Sequence, residues 1–189
     1  ETLNGSLTNY VFKGDTTYYI SGTVNLYGTT TLEGGTVVKY APGVNARLLA
    51  YGPVDCQTSA YRPAVCTAKD DNTVGETISG STGTPNGFYA AQALYVYAPA
   101  NPVTLQHLRI AYAAVALFVQ DVSAPGYQIR HGQLLKSGTG VYALGSGPIN
   151  LQNLLFEEML YRAVYGGSKT IVAEQLTVHR ANQFLQSGT

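Results

Sequence analysis

The chain has 189 residues, and its eleven acidic and eleven basic side chains give a net charge of zero. Only 12% of the residues are charged, against about 25% in typical soluble domains. Nucleic-acid binding needs clustered Lys and Arg, so we expect no nucleic-acid partner. No apolar run approaches the roughly 18–20 residues of a membrane-spanning helix. The length suits a single domain, 1–189, and we expect residues 1–17 to form its N-terminal capping segment.

Two cysteines, Cys56 and Cys66, flank a nine-residue loop between short strand-like segments. A disulfide between them would close a short loop and contribute about 2–3 kcal/mol. It would also imply an oxidising compartment outside the cytoplasm. The alternative is a pair of buried free thiols. The sequence favours the disulfide.

Residues 69–88 interrupt the hydrophobic pattern, which predicts a polar loop inserted into the regular fold. Four oxygen-bearing side chains fall within seven residues of this loop: Asp70, Asp71, Asn72 and Glu76. Ca²⁺ takes ligands of this kind, although the spacing does not match an EF-hand. The alternative is a solvated turn whose Asp and Asn side chains bond their own backbone. Calcium is therefore a hypothesis for this loop, and no other cofactor is expected.

The second half of the chain repeats one hydrophobic pattern four times. The repeats begin at Val103, Tyr127, Ile149 and Ile171, which are 24, 22 and 22 residues apart. Each repeat alternates apolar and polar residues, bends over two residues, and alternates again, which indicates two short strands with one buried face. A third short strand completes each repeat. Strands this short must pair with their counterparts one repeat away. The sequence therefore predicts an all-β fold, a right-handed parallel β-helix (solenoid), with three short strands per coil of about 22–24 residues.

This register predicts which side chains point inward. We expect one inward stack of Leu105, Ile129, Leu151 and Ala173, and a second of Ile110, Leu134, Phe156 and Val178. The bend positions hold His107, His131, Asn153 and Gln175. Asn and His are enriched among non-glycine residues at positive φ. A structural role at the bends is therefore favoured over a catalytic role for the two histidines.

The same register places four aromatic side chains on the outside of the third strands. These are Tyr95, Phe118, Tyr142 and Tyr165, which would form a row with a spacing of about 4.8 Å. Exposed aromatic rings stack on sugars and also anchor protein interfaces. The alternative is that a loop of the chain itself, such as 69–88, covers the row.

The four repeats, and Leu151-Gln152-Asn153-Leu154 in particular, resemble the right-handed parallel β-helix proteins of the pectin-lyase-like superfamily. The stretch from Tyr19 to Tyr40 resembles the opening coils of secreted bacterial β-helix repeat proteins. The resemblance implies a location outside the cell or on its surface, and a glycan-binding role for the aromatic row. It specifies the fold better than the activity, because one fold hosts many functions.

No catalytic set can be placed from the sequence. The acidic residues of the regular coils, Asp121, Glu157, Glu158 and Glu174, lie in different registers, whereas glycoside hydrolysis needs two carboxylates at one groove. No amphipathic helix follows Val178. The terminal coils, near 18–26 and 171–185, are therefore expected to meet a second copy head to tail or further coils of a longer protein. The sequence favours an extracellular structural or adhesive protein. The alternatives are a polysaccharide lyase or hydrolase, or a non-catalytic glycan-binding β-helix.

Overall fold

The computed structural model describes residues 1–43, 45–99, 101–121 and 126–187. Over these residues the chain is all-β without a helix, and its parallel strands stack as a β-solenoid of about 8 turns with about 23 residues per turn. The fold predicted from the repeats is confirmed. None of the described segments forms a helix that could cross a membrane.

Sixteen strands make up the described part of the solenoid. They are β1 (Thr2–Thr8), β2 (Val11–Phe12), β3 (Thr17–Tyr27), β4 (Thr30–Glu33), β5 (Val37–Tyr40), β6 (Ala46–Ala50), β7 (Val54–Gln57), β8 (Ala64–Ala68), β9 (Ala90–Tyr97), β10 (Val103–Gln106), β11 (Leu108–Ala111), β12 (Ala113–Gln120), β13 (Tyr127–Leu135), β14 (Thr139–Leu144), β15 (Ile149–Gly167) and β16 (Ile171–Ser187).

The strands form three faces that run along the solenoid. The first face contains β2, β4, β7 and β10 and the opening parts of β13, β15 and β16. The second contains β5, β8 and β11 with the opening part of β3, and continues through the later parts of β13, β15 and β16. The third face consists of residues 5–8, 23–27, 46–50, 90–97, 113–120, 139–144, 162–167 and 183–187. We call residues 1–8 coil 1 and residues 171–187 coil 8.

The predicted inward stacks form the core. Leu105, Ile129 and Leu151 are register partners that are at most 2% exposed. Ile110, Leu134 and Phe156 align in the same way on the second face and are equally buried. Full burial of one such side chain contributes about 1.5–3 kcal/mol. In coil 8 the same registers hold Ala173, which is exposed, and Val178, which is half-buried, because no further described coil packs on them.

The bends also follow the prediction. His107, His131, Asn153 and Gln175 have φ values of 49°, 54°, 51° and 54°. The rings of His107 and His131 stack with their centroids 5.0 Å apart, and Asn153 Nδ2 lies 2.9 Å from His131 Nδ1. These contacts give both histidines a structural role at the bend.

A second set of positive-φ bends, which was not predicted, separates the second and third faces. Tyr112, Lys136, Glu158 and Arg180 repeat with the same spacing as the first bend and have φ values of 45–60°. Lys136 Nζ lies 5.7 Å from the ring centroid of Tyr112, and Arg180 Nη2 lies 2.6 Å from Glu158 Oε1. Side-chain pairs therefore connect neighbouring coils along this corner as well.

Residues 1–17 contain regular strands. Within this segment β1 pairs in parallel with β3, and β2 pairs with β4. Because β1 covers one side of β3, Tyr18 and Leu26 are fully buried. The surface at that end of the described solenoid is therefore formed by coil 1, and the sequence-based expectation that residues near 18–26 form it is wrong.

The predicted disulfide between Cys56 and Cys66 is absent, and both residues are buried free thiols. Each cysteine fills an inward position of a different face: Cys56 pairs with Leu32 on the first, and Cys66 with Val38 on the second. They therefore belong to two separate stacks of inward side chains, and Cys66 lies between Val38 and Ile110. Burial raises the pKa of the Cys56 thiol to about 11 and that of Cys66 to about 12.

Candidate functional site

The four predicted aromatic residues lie in one row on the third face. Phe118 is the register partner of Tyr95 on one side and of Tyr142 on the other, and Tyr142 pairs with Tyr165. Their ring centroids are 4.3, 4.9 and 4.3 Å apart in that order. The spacing follows from the distance between neighbouring strands.

The orientation of the ring planes decides whether the faces of these rings are free to stack on a sugar. Phe118 and Tyr142 are within 9° of parallel, and Tyr142 and Tyr165 are within 26°. Tyr95 is tilted by 55° against Phe118. From Phe118 to Tyr165 each ring therefore covers a flat face of the next, and all four rings are half-buried. A sugar stacks on the flat face of an aromatic ring, and both faces of Tyr142 are occupied by neighbouring rings. Stabilisation of the coil stack is the direct consequence of this geometry.

Three further tyrosines lie beside the row in a second register, two residues further along the chain. The register of Tyr95 itself holds Leu49 and Asn25 in the earlier coils. Tyr27 and Tyr51 stack with their centroids 5.0 Å apart. Tyr97 stands nearly perpendicular to both Tyr51 and Tyr95. We call all seven rings the aromatic band. Tyr27 and Tyr51 are 43% and 39% exposed, so this end of the band is the more accessible to a ligand.

The charged side chains of the third face are all positive. The residues that form this face include neither Asp nor Glu, and its charged residues are Arg47 and Arg162. The guanidinium carbon of Arg162 lies 5.5 Å from the ring centroid of Tyr165, in cation–π contact. Burial, followed by Tyr97 and Tyr51, raises the pKa of Tyr95, and Arg47 partly opposes this rise. Both charges beside the band are therefore positive.

Polar atoms beside the band remain without partners. The Nε atoms of Arg47 and Arg162 and the Oε1 atom of Gln92 are buried and make no hydrogen bond. Arg47 and Gln92 are register partners on neighbouring strands. Buried unpaired polar groups of this kind cost about 1–3 kcal/mol each, and a ligand or ordered water could satisfy them.

The inserted loop lies between β8 and β9, where the interruption of the pattern predicted it. Its four candidate calcium ligands have separate partners. Asp70 accepts hydrogen bonds from Tyr89 Oη at 2.5 Å and from the backbone N–H of Thr82 at 2.8 Å. Asp71 accepts bonds from Thr67 and Thr73, and Asn72 accepts one from Ser81. Glu76 bonds through its backbone, whose N–H donates to Thr17 Oγ1.

A buried ammonium group occupies the centre of this loop. Lys39 is 0% exposed, and its Nζ donates to the carbonyl oxygens of Asp71 at 2.8 Å and Glu76 at 2.6 Å. Burial lowers the pKa of Lys39, and the nearby Asp71 and Glu76 oppose this shift. Within the described ranges, no group of three or more His, Cys, Asp or Glu side chains could hold a metal. The geometry therefore favours the alternative of a self-bonded turn, organised around Lys39.

The acidic residues of the coils have cationic or polar partners. Asp121 pairs with Lys169 inside the protein. Glu157 lies 3.4 Å from His179, and Glu174 accepts a hydrogen bond from Gln152 at 3.2 Å. Glu157 and Glu158 share Arg180, whose Nη2 lies 3.7 Å from Glu157 Oε1 and 2.6 Å from Glu158 Oε1. This pair of carboxylates is held by a cation and does not line the groove at the first bend, whereas glycoside hydrolysis requires two carboxylates at one groove.

A groove of about 630 Å³ runs along the first bend. Its floor includes His107, His131 and Asn153, and Ser59 and Pro63 from the loop after β7 also line it. Tyr61, in the same loop, is 97% exposed. The sequence did not predict this groove, because it depends on how the 58–63 loop lies against the coils. The groove can accommodate a ligand. Its lining includes the hydroxyls of Ser59 and Thr177 and the imidazoles of His107 and His131, and within the described residues the imidazole of His131 bonds to Asn153.

The chain matches no protein-family model, and no curated protein is significantly similar to it.

Proposed function

We propose that this chain is a non-catalytic structural and adhesive β-solenoid that acts outside the cell and associates end to end through coil 8. The observation that carries the proposal is the surface of coil 8. Val172, Phe184 and Leu185 are 47%, 50% and 48% exposed. Leu185 occupies the register of Val164, which is 1% exposed one coil earlier.

This surface has the properties of an interface. Strand β16 pairs with β15 along one edge, and no strand of the described chain pairs with its other edge. An open edge with exposed apolar side chains favours strand addition. Coil 8 also has few acidic side chains, so little repulsion opposes a second copy. Coil 1 is more polar: its only buried side chain is Leu3.

Two geometries are compatible with this proposal. Contact between the coil 8 surfaces of two copies buries apolar groups from both and closes as a dimer. Contact between coil 8 and coil 1 is heterologous and continues into a filament. Negative-stain microscopy distinguishes the two, because it shows either rods of two solenoid lengths or long filaments. Separate short rods of one solenoid length would contradict the proposal.

The location outside the cell rests on the resemblance to secreted β-helix repeat proteins. The free thiols of Cys56 and Cys66 lend it no support, since a disulfide would have been the sign of an oxidising compartment. Fractionation of producing cells tests it. Recovery of the chain from the medium or cell surface is expected, and recovery only from the cytoplasm would contradict it.

Binding of a polysaccharide is the second candidate function. It is favoured by the accessible rings of Tyr27 and Tyr51 and by the unpaired guanidinium Nε of Arg47. Arginine forms paired hydrogen bonds with carboxylate or sulfate groups, so an acidic chain fits better than a neutral one. Binding fits this face better than hydrolysis or lyase chemistry, because the residues of the third face include no carboxylate.

Affinity electrophoresis on neutral and acidic polysaccharides tests this second candidate. Tyr51→Ala should weaken retention about tenfold, which corresponds to about 1.4 kcal/mol, because it removes one of the two most exposed rings of the aromatic band. Tyr61→Ala is the matched control, since Tyr61 is an exposed tyrosine away from the band. Tyr142→Ala should lower stability rather than retention, because the faces of that ring are already covered. Equal retention of the wild type and Tyr51→Ala on every polysaccharide would contradict the sugar-binding role.

A further inference from the structure

Lys169 and Asp121 meet inside the protein at the corner between the third face and the first. Lys169 Nζ contacts Asp121 Oδ2, and both side chains are 0% exposed. Lys169 Nζ also donates to the carbonyl oxygen of Gly147 at 3.0 Å and lies 5.3 Å from the ring centroid of Tyr127. The amine is therefore held in place beside the carboxyl group and shielded from water.

The carboxyl group of Asp121 is held in an equally defined way. Its Oδ1 accepts hydrogen bonds from the backbone N–H groups of Ser146 at 3.1 Å and Gly147 at 3.4 Å. Gly145, with φ of 103°, makes room for this carboxyl group, because a Cβ there would overlap Asp121 Oδ1. Two N–H groups directed at one oxygen are the arrangement that stabilises negative charge on a tetrahedral intermediate.

We propose that Lys169 and Asp121 condense to an intramolecular isopeptide bond. A proton passes within the pair from the ammonium to the carboxylate, which gives a neutral amine and a carboxylic acid. The amine nitrogen attacks Cγ of Asp121, and the charge that develops on Oδ1 is held by the N–H groups of Ser146 and Gly147. The nitrogen then gives up its second proton, Oδ2 leaves as water, and a Cγ–Nζ amide bond remains. The reaction needs no oxidant, reductant or further reactant.

The site favours this condensation in two ways. Two opposite charges buried without water are expensive to maintain, and the amide removes both. Reacting groups held in position reach effective molarities of about 10⁵–10⁸ M, which offsets the unfavourable formation of amides in water. The cross-link would join the corner after β12 to the corner after β15. The inference does not depend on the proposed assembly or on sugar binding.

The test is tryptic peptide mapping of the folded, purified chain after prolonged incubation, combined with its intact mass under denaturing conditions. The cross-linked chain is lighter by one water molecule. Trypsin does not cleave after a modified lysine, so the map should contain a branched peptide in which residues 110–130 are joined to 163–180. Separate recovery of 110–130, 163–169 and 170–180 as the main products would overturn the proposal and leave a buried ion pair.

The variant Lys169→Arg retains a positive charge for Asp121 but has no amine that condenses in this way. It should have its full sequence mass and no branched peptide, whereas the control Lys136→Arg, at an exposed lysine, should keep both signatures. Cyclisation of Glu1 also removes one water, but it would persist in Lys169→Arg and would appear in the N-terminal peptide. The wild-type peptide map decides the question even where Lys169→Arg fails to fold.

Discussion

Leu151 lies at the centre of the first inward stack, between Ile129 and Ala173. Leu151→Asp would place a charge without a partner in the core and should lower the free energy of unfolding by about 4 kcal/mol or more. Asn150→Asp is the matched control, because Asn150 precedes Leu151 on the same strand and is exposed. Urea denaturation followed by circular dichroism measures both. Similar stability of the two variants would show that the inward register is wrong.

The burial of Cys56 and Cys66 can be tested through the reactivity of their thiols. Their raised pKa values of about 11 and about 12 leave almost no thiolate at pH 8, and the thiolate is the reactive form. Iodoacetamide should therefore leave the native protein unmodified at pH 8 and alkylate both thiols after unfolding without a reductant. The intact mass of the treated protein gives the number of alkyl groups that were added. Alkylation of the native protein at pH 8 would contradict the burial of the thiols.

The same pKa shifts predict that the protein loses stability at high pH. The folded state holds these thiol protons more tightly than the unfolded state. Their contribution to stability is therefore complete below the unfolded pKa of about 8.5–9 and is lost as pH rises toward about 11–12.

At the scale of elements, the 69–88 loop depends on Lys39. Lys39→Met would leave the carbonyl oxygens of Asp71 and Glu76 without their buried donor, a loss of about 1–3 kcal/mol for each unpaired group. The loop should then open and become the first site of limited proteolysis, while the coils stay intact. Lys13→Met removes an exposed ion pair with Glu33 and should leave the cleavage pattern of the loop as in the wild type.

Chelation gives an independent test of the same loop. Since Lys39 supplies the positive charge and the Asp side chains have hydroxyl and N–H partners, EDTA should leave the melting temperature unchanged. A clear drop that calcium reverses would support the calcium hypothesis instead.

The strand register was predictable from the sequence because a period of two places alternate residues on opposite faces. The four repeats therefore located the inward stacks, the positive-φ bends and the alignment of Phe118 with Tyr142. The disulfide prediction is wrong because Cys56 belongs to the apolar-polar-apolar pattern Val54-Asp55-Cys56, which places its side chain inward on a strand and not at the edge of a loop. Tyr27 and Tyr51 lie outside the register of the four predicted rings, which passes through Leu49 and Asn25 in the earlier coils, so the repeat did not indicate them.

Other features depend on contacts between residues whose positions the repeat does not relate. Lys39 reaches Glu76 across 37 residues, and Lys169 reaches Asp121 across 48. Neither pair follows the repeat, so neither could be inferred from it. The orientation of the ring planes was equally inaccessible, because strand register fixes the spacing of side chains but not their rotamers.

At the scale of the whole molecule, the solenoid is a stack in which each coil is stabilised by its neighbours, as in other repeat proteins. The described chain has buried coils in its middle and an apolar surface at coil 8. Stability should therefore depend on whether coil 8 is covered, and association should raise the melting temperature as protein concentration rises.

Sedimentation equilibrium over a wide range of protein concentration is the most direct test of end-to-end association. End-to-end association predicts a mass that rises above that of one chain as concentration increases. Leu185→Lys should reduce this rise because it places a charge on the coil 8 surface, whereas Tyr61→Lys, at an exposed tyrosine in the 58–63 loop, should not. A wild-type chain that remains at the mass of one copy at the highest concentration, with both variants indistinguishable from it, would contradict the account.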